Sequence, residues 1–151
     1  MNRSSILITL VLVIIAFQSQ GQTIFPRGEI ATTKNHTGTV WLNLLNQPDS
    51  LIDVAIATAS FAPGAKLDWH IHPAGQILLI TEGVGYYQEK GKAARIVRKG
   101  EVIKCDPGLA HWHGASPESL VTYLAVSTNS ANNRTVWLQP VTKEEYNSAK
   151  K

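Results

Sequence analysis

The chain is poor in sulfur, in charge and in long apolar runs. Its 151 residues hold one cysteine and one methionine. A lone cysteine excludes an internal disulfide and any Cys-rich zinc cluster. Charged residues make up only 17% of the chain against 44% apolar, which allows a packed core and sets it apart from disordered sequences. Lys and Arg number 14 against 11 Asp and Glu, a formal charge of +3 with no long basic run, so nucleic acid is not an expected partner. No apolar run reaches the ~20 residues that a membrane-spanning helix needs. The most apolar stretch is Ile6–Phe17, interrupted only by Thr9.

That stretch follows Arg3 and precedes Gln18-Ser19-Gln20-Gly21. Ser19 and Gly21 are small residues at the −3 and −1 positions of a cleavage site. Residues 1–21 therefore read as a secretory signal peptide, and the protein as exported to the periplasm or beyond. No cysteine stands at the cleavage point, so no lipid anchor and no stable membrane attachment are expected after cleavage. Export to an oxidising compartment fits a chain with no thiol pair to mispair. The mature segment, 22–151, loses the charge of Arg3 and has the length of one domain.

The mature segment reads as all-β. Strand-like runs cover Val40–Leu45, Val54–Phe61, Leu67–His72, Gln76–Glu82, Val84–Glu89, Ala93–Arg98, Glu101–Cys105, Ala110–Gly114 and Val121–Ser127. Gly and Pro punctuate them at short intervals, and Lys90-Gly91-Lys92 looks like a hairpin tip. No long 3.6-period segment intervenes, which points to a sandwich or barrel. The one helix expected is short and C-terminal, opened by the capping box Thr142-Lys143-Glu144-Glu145 and packed through Tyr146.

The histidines are unevenly placed. Four of the five fall in two pairs, His70-Ile71-His72 and His111-Trp112-His113. On a strand, residues i and i+2 share a face, so each pair sends both imidazoles to one side. Gln76 lies four residues beyond His72, across a Pro-Gly bend. One such histidine alone would be read as structural. Two strand-spaced pairs in a chain this poor in histidine point to a metal site.

These residues resemble the two signature motifs of the cupin superfamily. Gly64, His70, His72, Gln76 and Gly83 follow the spacing of the first, and Gly100, Pro107, Gly108 and His111 that of the second. The likeness covers most of 38–128 and implies a double-stranded β-helix, a jelly-roll-like barrel. It implies His70, His72 and His111 as metal ligands and Gln76 as the fourth by position. Two departures stand out. Gln76 occupies the place of a usual glutamate, and the second motif carries one extra residue before its proline. A neutral Gln leaves a divalent ion its full +2 charge, making it a stronger Lewis acid at some cost in affinity. The donor set suits Mn, Fe, Co, Ni or Zn.

The strings around both histidine pairs, with Trp137 and Val141–Tyr146, resemble small bacterial single-domain cupins. That group includes manganese-dependent (R)-selective hydroxynitrile lyases and cupins associated with carboxymuconolactone decarboxylases. The likeness implies a small-molecule substrate, manganese as the first choice of ion, cleavage of an α-hydroxynitrile, and a homodimer or larger oligomer formed by sheet packing or exchange around Thr23–Thr39. His113 is the first candidate for the base and Tyr123 a weaker acid/base or orienting candidate. A metal-dependent dioxygenase, another small-molecule cupin enzyme and a non-catalytic binding cupin are the alternatives.

The remaining residues read more plainly. Trp41, Trp69 and Trp112 are expected on the barrel surface or at subunit contacts, the last two because they flank inward histidines. Ala55, Ala57 and Ala59 alternate as a small-residue wall. Cys105 reads as a core residue, His36 as an isolated surface residue, and Lys90, Lys92, Arg95, Arg98 and Lys99 as a solvated basic face. The sequons at Asn35 and Asn133 read as chance.

Overall fold

Thirteen elements are present among residues 24–128 and 131–149, which the computed structural model describes. The proposed signal segment, 1–21, lies outside them. The strands are β1 (Glu29–Ile30), β2 (His36–Thr37), β3 (Val40–Asn46), β4 (Val54–Phe61), β5 (Lys66–Leu67), β6 (His70–Ile71), β7 (Gln76–Glu89), β8 (Arg95–Arg98), β9 (Val102–Cys105), β10 (His111–Ala115), β11 (Val121–Thr128) and β12 (Val136–Trp137). The helix α1 spans Lys143–Asn147.

All pairings are antiparallel, and the order β1-β3-β4-β11-β7-β10-β5-β2 curls into a two-sheet roll. The long strand β7 belongs to both layers. Its first half pairs with β11 and β9, and its second half with β8 and β10. The switch falls at Gly83, where φ is +73° and β11 slips register between Thr122 and Tyr123. A Cβ on Gly83 would overlap the Leu120 carbonyl oxygen, so the crossing point accepts only glycine. The expected strands Gln76–Glu82 and Val84–Glu89 are therefore one bent strand.

The expected strand Leu67–His72 is two pieces for a related reason. Lys66 lies opposite Gly114, and His70 opposite His111. Four steps along one chain thus face three along the other, which is a bulge at Asp68-Trp69. The backbone N–H groups freed there donate to the carbonyls of Asn35 and Gln139, at 3.0 and 3.1 Å. The bulge lets Leu67 and His70, three residues apart, line the same cavity.

The interior of the roll is filled by Val40, Phe61, Leu78, Ile103, Val121 and Tyr123. Cys105 belongs to this core, and burial pushes its thiol up to about 12. A second core lies outside the roll. Trp69 and Trp112 are fully buried there with Ala94, Val141 and Tyr146. The expectation that these tryptophans lie on the surface is wrong. They do point away from the histidines, but the C-terminal segment covers them. Glu145 Oε2 accepts from Trp69 Nε1 at 3.1 Å, and the Tyr146 hydroxyl donates to the Ala115 carbonyl at 2.7 Å. The capping box at Thr142 and Glu145 is formed as expected. Among the described residues no helix is long and apolar enough to cross a membrane.

Candidate metal centre and its cavity

The two histidine pairs meet across the ladder between β6 and β10. His70 is opposite His111, and their ring centroids are 4.4 Å apart. His72 lies 5.2 Å from His70 and 5.7 Å from His111, ring to ring. His113 sits one pleat further along β10, 5.2 Å from His70. All four are buried. One nitrogen from each of His70, His111 and His113 lies within 4.8 Å of the others. The expected ligand His72 lies outside that tightest group, and the expected base His113 lies within it.

Hydrogen bonds fix two of the rings. His70 Nδ1 is 2.8 Å from the Asp68 carbonyl, and His111 Nδ1 is 3.1 Å from the Leu109 carbonyl. A carbonyl only accepts, so both Nδ1 atoms carry the hydrogen and both Nε2 atoms present lone pairs. Those Nε2 atoms are buried without a protein partner. Gln76 repeats the device. Its Nε2 donates to Ser127 Oγ at 3.2 Å, while its Oε1 is buried and unpartnered. His72 is held more loosely, by Thr135 Oγ1 at 3.5 Å from Nδ1. The loop behind it is clamped by Asn133, which donates to the Gly75 and Thr128 carbonyls and accepts from the Ala74 N–H. Its buried amide thus has a structural task.

Electrostatics keep the imidazoles neutral. Burial, followed by the charge of His111, lowers His70 to about 3 and His72 to about 4. Burial also lowers His111, against the opposing pull of its bond to Leu109. Burial first, and then His70, hold His113 well below the usual range. Buried acceptors left unpaired cost about 1–3 kcal/mol each. Unpaired acceptors on His70, Gln76 and His111, with neutral imidazoles, are a donor set that fits a divalent cation.

The cavity in front of this wall has a volume of about 280 Å³. Leu42, Ala57, Ala59, Phe61, Leu67 and Ala125 give it an apolar lining, so Ala57 and Ala59 of the expected alanine wall belong to the site and Ala55 does not. Tyr123 also lines it, but its hydroxyl donates to the Gly114 carbonyl at 2.9 Å while its ring meets His113 edge-on at 5.1 Å. Trp137 closes the cavity beside His70, 5.1 Å away. Sequence reasoning missed His36. It is half-buried and lines the cavity instead of lying isolated on the surface. Only its pairing with β5 brings it there, and no local motif signals that pairing.

A roll of two antiparallel sheets with inward histidines on facing strands defines the cupin architecture, and comparison with known proteins agrees. The Cupin domain pattern matches residues 57–127. The chain is 40% identical over 110 residues to a protein of Granulicella tundricola named (R)-mandelonitrile lyase, an alignment spanning 73% of this chain and 84% of that one. It superposes with a TM-score of 0.79, at 40% identity, on a cupin-like protein of Thermotoga maritima, covering 83% of this chain and 96% of that one. A cupin-2 domain protein of Rhodospirillum rubrum matches at 0.64 with 16% identity over 83% of each chain, which speaks for the fold alone. The chain belongs to the cupin family. His70, His111 and His113 form a group able to hold a metal ion, and a relative of the chain is named as a lyase.

Proposed function

We propose that the protein is a metal-dependent carbon–carbon lyase that cleaves an α-hydroxynitrile into a carbonyl compound and hydrogen cyanide. The observation that carries this reading is that His70 Nε2, His111 Nε2 and Gln76 Oε1 are buried acceptors without protein partners, the two histidines belonging to a group whose ring nitrogens lie within 4.8 Å of one another. Support comes from the relative named (R)-mandelonitrile lyase. His70, His72, Gln76 and His111 hold one divalent ion, manganese being the first choice. Bound there, the ion supplies positive charge against the oxygen of the substrate, undiminished by any anionic ligand.

The residues of the chain do the rest. His113 Nδ1 has no partner, so no carbonyl fixes its tautomer, unlike His70 and His111. Its depressed basicity keeps it unprotonated at neutral pH. His113 takes the hydroxyl proton as the C–C electron pair leaves with cyanide. It then returns the proton to cyanide, which departs as HCN. Tyr123 orients the His113 ring and keeps its own hydroxyl hydrogen on Gly114. The alanine and leucine lining accepts an apolar substituent and excludes water. Export through residues 1–21 completes the reading.

The test is cyanide release from mandelonitrile by the manganese-loaded protein, its chelated form, and His113→Ala at equal metal content. The expected result is release by the loaded wild type, loss on chelation, and a fall of about 10²–10⁴ in kcat for the variant. No release by the loaded wild type would refute the lyase reading.

A further inference from the structure

His36 adds a second polar pole to the cavity. The strand register places it relative to the site. Gly114 faces Lys66, so His113 continues that register to Leu67, and Leu67 faces His36. The three residues thus form one transverse row across β10, β5 and β2, and all three line the cavity. Two strand spacings separate the ends of the row, on the order of 10 Å between Cα atoms. Leu67 fills the middle with an apolar side chain. His36 Nδ1 bonds the Gly38 carbonyl at 3.0 Å, so that nitrogen carries the hydrogen and Nε2 is an acceptor. That Nε2 is buried and has no protein partner.

We propose that His36 is a specificity residue, accepting a hydrogen bond from a second donor at the far end of the ligand. The ligand is therefore bipolar, with an oxygen function at the His113 end, a flat apolar middle over Leu67 and a hydroxyl at the His36 end. A para-hydroxyaryl α-hydroxynitrile has that layout, since an aromatic ring puts its two polar ends on opposite sides of a rigid spacer. The inference names the substrate class of the lyase reading and rests on it.

Binding separates the two. Kd is measured by calorimetry for benzaldehyde and 4-hydroxybenzaldehyde, the carbonyl products, on the metal-loaded wild type, His36→Leu and His36→Gln. Mandelonitrile cleavage is assayed alongside. The wild type is expected to favour the hydroxylated aldehyde by about tenfold, the strength of one buried hydrogen bond. His36→Leu is expected to bring the ratio near one, and His36→Gln, which keeps an acceptor, to restore part of it. Equal Kd values on the wild type, no binding of either aldehyde, or an unchanged ratio in folded His36→Leu would each overturn the proposal. Should the preference hold without cyanide release, His36 keeps its role and the lyase reading falls. Should cyanide be released without the preference, the reverse follows.

Discussion

His70 and His111 lie 4.4 Å apart, ring to ring, and each gives its Nδ1 hydrogen to the carbonyl two residues before it, Asp68 and Leu109. The same short device thus operates on two strands distant in sequence. It leaves both Nε2 atoms as acceptors, buried and without protein partners. Such outer bonds orient metal-binding imidazoles and raise their basicity. Gln76, tied through its amide nitrogen to Ser127, adds a third preset acceptor.

His72 and His113 compete for the remaining places. The tightest nitrogen group contains His113, whereas the lyase reading gives the ion to His72 and the proton to His113. His72→Ala should then lower manganese affinity at least tenfold. His113→Ala should keep the metal and lose turnover. Metal titration of the two variants by calorimetry decides this, and the opposite pattern would exchange the two roles.

Stability without metal should depend on pH in a defined direction. His70 and His72 have folded values of about 3 and 4, lowered chiefly by burial, against an unfolded value near 6.5. Between these limits the unfolded chain binds more protons than the folded one, so stability rises with pH and then levels off. The urea midpoint of metal-free protein should be flat above about pH 7 and fall from about pH 6.5 towards pH 4. Each histidine contributes up to ~1.4 kcal/mol per pH unit. His70→Gln should flatten the slope.

Gly83 carries the bend of β7 between the two sheets. Its positive φ and the nearby Leu120 carbonyl leave no room for a side chain. Gly83→Ala should cost more than about 2 kcal/mol in urea unfolding, through strain and a displaced backbone. Gly91 sits at the hairpin tip, also at positive φ but with open space around its Cβ direction. Gly91→Ala should cost about 1 kcal/mol, from strain alone.

The C-terminal helix exists to cover the tryptophans. The Tyr146 ring packs at a tilt against Tyr86 and Trp112, and its hydroxyl donates to the Ala115 carbonyl. Tyr146→Ala should destabilise by about 3–5 kcal/mol and shift tryptophan fluorescence to the red, as Trp69 and Trp112 meet water. Unshifted emission in the folded variant would show that other residues cover them.

The histidine pairs were legible because strand period is a local property, readable at i and i+2. So was the capping box, whose partners lie three residues apart. Trp69 and Trp112 misled for the converse reason. Alternation shows which way a side chain points but not whether a later segment comes to cover that face. The joining of Gln76–Glu82 to Val84–Glu89 was hidden because a glycine that ends a strand and one that bends it look alike in sequence. His36 was hidden because only the long-range pairing of β2 with β5 brings it to the cavity. The ladder positioned Gln76 and Tyr123 beside the histidines, but their hydrogen-bond partners, Ser127 and Gly114, could be found only in three dimensions.

The proposed chemistry requires a metal ion on the unpartnered acceptors of His70, Gln76 and His111. Elemental analysis of the purified wild type and of His111→Ala tests it most directly, with a thermal melt in the presence of a chelator as companion. Close to one divalent ion per chain is expected in the wild type, with its loss in His111→Ala and a lower melting point for the wild type under chelation. A wild type that carries no metal, takes up none on titration, and melts at the same temperature with and without chelator would contradict it.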